Sequence, residues 1–148
     1  MGAWVKLLAG DLETHVAADQ LRAIVEASLG ADGAEHMEKL RQSIVAQVRA
    51  AVMGGGRAVL SATDDAVPEE LWSDACALLM EKLQCRLPAL RLTVDQVRAA
   101  DVARQRLRRV ERGEVVPSMP ADPSFRYVRP KVHFRCRRRI AIGDLGGL

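Results

Sequence analysis

A cluster of four prolines most constrains how this chain of 148 residues can fold. The four are Pro117, Pro120, Pro123 and Pro130. Each lacks the amide N–H that a helix needs, and its ring clashes with the preceding turn, so no stable helix can cross this segment. We therefore expect a helical domain over residues 1–113 and an extended arm, rich in proline and arginine, over residues 114–148.

The composition of the chain favours helices in the first of these two regions. Hydrophobic residues make up 49% of the chain, which is enough for a core, whereas aromatic residues make up only 3%. Small aliphatic side chains suit packed helices better than a strand-rich sandwich, which uses more aromatic residues. Because no stretch reaches the roughly 18 consecutive apolar residues of a membrane-spanning helix, we expect no membrane partner.

Apolar residues at helical spacing predict two helices in the first third of the chain. One extends over about residues 17–29. The next begins near Asp32, which can cap its free amides, and ends at the glycines of positions 54–56. Three residues without a Cβ cost too much backbone entropy to continue a helix. The stripe expected to face the core in this second helix is Met37, Leu40, Ile44, Val48 and Val52.

Two further helices are predicted between the glycine run and the proline cluster. The third begins at Pro68, which tolerates the first helical position, and ends before Pro88. Thr93 and Gln96 have the spacing of a capping box at the start of the fourth helix, and Gly113 ends it. Its expected inward residues are Val94, Val97, Ala100, Leu107 and Val110. The fold class expected is therefore all-α: a small four-helix bundle with a long extended basic C-terminal arm.

The charge of the chain is divided between its two ends. Residues 1–90 contain 8 Lys and Arg against 13 Asp and Glu, a net charge of −5. Residues 91–148 contain 14 basic against 6 acidic residues, a net charge of +8. Such asymmetry indicates that the C-terminal part meets something acidic, either nucleic acid or the complementary surface of another protein.

Residue patterns for catalysis or metal binding are weak throughout the sequence. His133 and Cys136 have the gap of a metal-binding pair, but zinc requires a second pair and none lies nearby. Cys76 and Cys85 lie among leucines, and we interpret them as small, reduced, apolar core residues. We therefore expect no enzyme, no catalytic residues, no metal and no cofactor.

The one feature above background is a basic segment within the arm, in which aromatic and apolar residues alternate with arginines. Its residues are Phe125, Arg126, Tyr127, Arg129, Lys131, Val132, Phe134, Arg135, Arg137, Arg138 and Arg139. Arginine forks bind carboxylates and phosphates alike. Three of the five aromatic residues of the chain lie here, which favours docking on a partner over a solvated tail.

Three stretches within residues 4–116 or so carry a resemblance to a known protein family. They are the early Trp4, Leu7 and Asp11-Leu12, then VPEELWSDACALL from Val67, then VARQRLRRVERGEVVPS from Val102. This distribution of helices and stops resembles the head–tail connector, or adaptor, proteins of tailed bacteriophages and prophages, including the Mu-like head-completion proteins. A polar loop followed by proline before the third helix, and an Arg-Gly-Glu turn after the fourth, are common in that family.

The resemblance implies a structural protein of the virion neck that is present in the host cytoplasm during assembly. Members of that family form a homo-oligomeric ring, usually dodecameric, between the portal protein and the tail or tail-terminator protein. DNA passes through the lumen without sequence-specific recognition, and no catalysis is implied. The C-terminal segment of such proteins often docks on the portal, and the arm of this chain occupies the corresponding place but is longer and more basic.

The resulting hypothesis is that the eleven residues of the basic segment bind the portal protein or a neighbouring subunit. The alternative is a small helical nucleic-acid-binding protein whose arginine-rich arm folds on phosphate. The salt dependence of binding distinguishes these two hypotheses, because a complex held by phosphate contacts weakens steeply as the salt concentration rises.

Overall fold

A computed structural model of the chain describes residues 3–14, 33–56, 59–85 and 93–124. The helix predicted over residues 17–29 and the basic segment of the arm lie outside these residues. The elements in chain order are β1 (Trp4–Lys6), a 3₁₀ helix (Ala9–Thr14), α1 (Gly33–Gly54), β2 (Leu60–Ser61), β3 (Ala66–Pro68), α2 (Glu69–Gln84), α3 (Val94–Glu111) and β4 (Pro123–Ser124). The described residues are thus mostly helical, as expected.

The ends of the helices follow the stop and start residues of the sequence. Gly56 has a φ of +70° just after α1, a left-handed conformation that favours glycine. Pro68 directly precedes α2. At the start of α3, Thr93 Oγ1 accepts a hydrogen bond from Gln96 N at 3.3 Å, while Gln96 Oε1 accepts one from Thr93 N at 3.0 Å. The predicted capping box is therefore confirmed.

The three helices contact one another pairwise and enclose a single aliphatic cluster. Of the predicted stripe on α1, four residues are buried and Leu40 is partly buried. The N-terminal segment contributes Leu7 and Leu12, both fully buried. The core therefore joins residues from near the start of the chain to Val110 at the end of α3.

The inward face predicted for α3 is wrong at its first turn. Val94 is 78% exposed and Val97 is 42% exposed, whereas Ala100, Ala103, Leu107 and Val110 are buried. At about 100° per residue, these four form one stripe and Val94 lies almost opposite to it. The apolar character of the two valines had suggested burial, but their angular position on the helix places them on the outer side.

Short strands depart from the all-α expectation. β1 pairs antiparallel with β3, so that Val5 lies opposite Val67, and β2 pairs antiparallel with β4, so that Ser61 lies opposite Pro123. The segment between the glycine run and α2 therefore contains β2 and β3. Among the described helices, none combines the length and the apolar character needed to cross a bilayer.

Candidate functional site

The chain turns back onto its own domain directly after α3, along what we call the return segment, residues 114–124. Gly113 has a φ of +72°. A Cβ at Gly113 would lie 3.0 Å from the carbonyl oxygen of Gly55, so both the backbone angle and the close approach favour glycine. Pro117 and Pro120, two prolines of the predicted arm, are buried. The return segment is therefore extended, but it lies against the domain.

Ser118 fixes the middle of the return segment to β1 and to the first turn of α2. Its carbonyl oxygen accepts a hydrogen bond from Trp4 Nε1 at 2.9 Å. Its backbone N–H donates to Glu70 Oε1 at 3.2 Å, and its hydroxyl donates to the same oxygen. Partial burial raises the pKa of Glu70, but these hydrogen bonds and others outweigh it, so that the pKa lies below its ordinary value.

Asp122 fixes the end of the return segment to the turn between β2 and β3. Its carboxylate accepts hydrogen bonds from Ser61 Oγ at 2.8 Å and from Thr63 Oγ1 at 3.2 Å, and these lower its pKa. Its carbonyl oxygen accepts from Ala62 N at 2.8 Å. Ser124 Oγ then donates to Leu60 O at 3.1 Å. The last described residue is thus hydrogen-bonded to the domain.

Arg49 of α1 holds the turn that receives Asp122. Its guanidinium donates to the carbonyl oxygens of Ser61, Thr63 and Ala66 at 3.1, 2.9 and 3.2 Å. It also lies 5.9 Å from the centre of the Trp4 ring, within the range of a cation–π contact. One largely buried side chain therefore binds three carbonyl groups of this turn, of which that of Thr63 also accepts from Ala66 N at 3.2 Å.

None of these anchoring residues was predicted from the sequence. Trp4 and Ser118 are 114 positions apart, and Ser61 and Asp122 are 61 apart. Hydrogen bonds over such separations leave no local pattern of spacing. The proline cluster was the one available signal, since it predicts extended backbone, but it says nothing of what that backbone contacts.

All eleven residues of the predicted basic segment lie outside the described residues. The structure does place the residue that precedes that segment, because Phe125 follows Ser124 of β4 directly in sequence. Residues 114–124, expected to be the first part of a departing arm, instead belong to the packed region.

The two described cysteines differ in their environment. Cys76 is fully buried, and burial together with the charge of Asp11 raises the pKa of its thiol to about 12. Cys85 is exposed, so its interpretation as a core residue is wrong. It follows Gln84, the last residue of α2. Across the parts of the chain that the structure describes, no group of three or more His, Cys, Asp or Glu side chains could hold a metal ion.

An open cleft of about 360 Å³ lies between α1 and α3. It is lined by Gln47, Ala50, Ala51, Arg104, Leu107, Arg108 and Glu111. Its lining combines a small aliphatic floor with charged walls, and it contains no hydroxyl, thiol or imidazole that could serve as a nucleophile.

No family model, no curated protein and no solved structure matches this chain.

Proposed function

We propose that this protein is a structural adaptor of a phage neck, a four-helix bundle that assembles into a ring between portal and tail. The basic segment, residues 125–139, docks on the portal protein or on a neighbouring subunit, and DNA passes through the lumen. The observation that carries the proposal is the return segment, because it fixes the origin of the basic segment at β4 on the surface of a folded domain.

Anchoring favours docking because it reduces the entropy lost on binding. Ordering a free chain costs roughly 1–2 kcal/mol per residue in backbone entropy. Here residues 114–124 are already ordered by Glu70, Ser61, Thr63 and Trp4. Residues 114–124 therefore add no ordering cost when a partner binds residues 125–139.

The chemistry of the basic segment indicates what kind of partner surface it fits. Phe125, Tyr127 and Phe134 supply large contact areas of the kind that dominates interface energies. The arginines between them present planar forks suited to carboxylates. The partner surface should thus combine apolar pockets with acidic side chains. The stretches that resemble phage adaptors, such as VPEELWSDACALL, lie in the described domain and point to the portal as that partner.

Co-sedimentation with the portal protein encoded in the same genome tests this proposal. The full chain should associate with the portal, whereas a chain ending at Ser124 should keep its helical circular dichroism and its melting temperature but no longer associate. A full-length triple variant, Phe125→Ala, Tyr127→Ala and Phe134→Ala, should also lose most of the association. A full chain that never binds portal, or a truncated chain that binds equally well, contradicts the proposal.

A further inference from the structure

The outward side of α3 is exposed along the whole helix and strongly basic toward its C-terminal end. The exposed residues on this side are Val94, Asp95, Val97, Arg98, Asp101, Val102, Gln105, Arg108, Arg109 and Arg112. We call Arg98, Arg108, Arg109 and Arg112 the arginine stripe. Its first and last members are fourteen positions apart, which corresponds to about 21 Å along a helix axis.

Most of the positive charge of the arginine stripe is not neutralised within the described part of the domain. Arg98 and Arg108 form no ion pair with any residue that the structure describes. Arg109 and Arg112 share one carboxylate, that of Glu114, at 3.4 and 3.7 Å. All three of these side chains are 46% exposed or more, so water and salt screen both pairs and they contribute little to stability.

Two other arginines of α3 show what a structural role looks like in the same helix. Arg104 pairs with Glu81 of α2 and with Asp101, and it is only 35% exposed. Arg106 pairs with Asp74, a largely buried carboxylate of α2, at 3.4 Å. These two tie α3 to α2. The arginines of the stripe make no such contact with another helix, so helix packing does not account for them.

We propose that the arginine stripe binds the phosphate backbone of nucleic acid without reading its base sequence. From Gln105 onward, the exposed side of α3 carries polar side chains alone. A protein partner would need a buried apolar anchor, and the exposed valines of this helix, Val94, Val97 and Val102, all precede Gln105. Phosphates need only a row of positive charge, and amide side chains such as Gln105 also contact them.

This inference concerns the folded domain and does not depend on the proposed docking of the basic segment. It assigns nucleic-acid contact to α3 and leaves residues 125–139 for the protein partner. An experiment can therefore contradict either proposal without contradicting the other.

A DNA-binding measurement tests this role of the arginine stripe. Fluorescence anisotropy measures the affinity of the full chain for a 30-base-pair duplex of mixed sequence at several salt concentrations. The variant is Arg98→Gln, Arg108→Gln and Arg112→Gln. The matched control is Lys6→Gln, Lys39→Gln and Lys82→Gln, which removes the same total charge from other surfaces. We expect the stripe variant to reduce the slope of log affinity against log salt by roughly 2 to 3, since each phosphate contact contributes about 0.9. The control should change it by less than one.

A second variant makes the test independent of any loss of folding. Glu114→Gln removes the carboxylate shared by Arg109 and Arg112, so DNA should bind about two- to threefold more tightly if each freed arginine strengthens the phosphate contacts. Equal weakening in the stripe variant and its control, or unchanged binding in Glu114→Gln, overturns the proposal. So does a stripe variant that loses association with portal while binding DNA normally, because the stripe would then contact protein. Portal binding that fails in the full chain while these DNA results hold contradicts only the proposed function.

Discussion

The indole of Trp4 and the backbone carbonyl of Ser118 are joined by a hydrogen bond of 2.9 Å, although 114 positions separate them. Trp4 belongs to β1 and Ser118 to the return segment, so this bond closes the domain between its first strand and its last extended stretch. Glu70 at the start of α2 binds the same serine from the other side. The return segment is therefore held by the domain at its middle as well as at its end.

Removing the indole N–H should loosen the return segment. In Trp4→Phe a smaller aromatic ring replaces the indole and the carbonyl oxygen of Ser118 loses this donor, and the lost hydrogen bond should lower the free energy of unfolding by about 1 kcal/mol. Urea denaturation measures this loss, and hydrogen exchange should show faster exchange at Ala62, whose N–H is bound to Asp122.

Trp72→Phe is the matched control, because Trp72 Nε1 also donates a hydrogen bond, to Asp11 Oδ2 at 3.2 Å. It should cost a similar amount of stability and leave exchange at Ala62 unchanged. If hydrogen exchange at Ala62 accelerates equally in both variants, the hydrogen bond of Trp4 does not specifically stabilise the return segment.

Stability measurements can test which valines of α3 face the core. Val110→Ala removes buried methyl groups from the core and should destabilise the protein by about 2 kcal/mol. Val94→Ala makes the same chemical change at a residue that is 78% exposed, and it should change stability by less than about 0.5 kcal/mol. Comparable losses in the two variants would place Val94 in an interface after all.

Local signals predicted the three helices that the structure describes, whereas they could not predict contacts between residues far apart in sequence. The ends of α1 and α3 follow from Gly56, Gly113 and the capping box of Thr93, since each acts within a few residues. β2 and β4 have two residues each, too few for an alternating pattern, and they pair across about sixty positions. Whether a proline-rich segment leaves a domain or returns to it depends on distant partners such as Glu70 and Trp4. No property of residues 114–124 alone could decide it.

Alkylation should separate the two described cysteines. Only the thiolate reacts, and burial raises the pKa of Cys76 to about 12, so this thiol should stay unmodified by iodoacetamide at pH 8. Cys85 is exposed and should be modified first. Peptide mass spectrometry distinguishes the sites, and alkylation in concentrated urea shows that Cys76 reacts once it is exposed. Rapid modification of Cys76 in the folded protein would contradict its place in the core.

The pair of Glu38 and Arg41 should make stability depend on pH below about 4.5. Arg41, 8% exposed, donates to Glu38 through Nε at 2.7 Å and through a terminal nitrogen at 2.5 Å, and this holds the pKa of Glu38 at about 2 instead of 4.5. A depressed pKa means that the folded state favours the ionised form. The pair therefore stabilises the fold at neutral pH, and that contribution is lost as the pH falls from 4.5 toward 2. Because Glu38 is about half exposed, we expect a loss near 1 kcal/mol, below what the pKa difference alone would give.

Glu38→Gln should consequently lower stability at pH 7 and flatten this part of the pH profile, as measured by urea denaturation from pH 7 to pH 2. Glu35→Gln is the control on the same helix, since the partner of Glu35 among the described residues is Lys39 and both side chains are about two-thirds exposed. That variant should retain the acid-dependent loss, because the pair of Glu38 and Arg41 is untouched. If both variants shift the profile equally, the loss reflects the general charge of α1 and not the buried guanidinium of Arg41, which also donates to the carbonyl oxygen of Leu7.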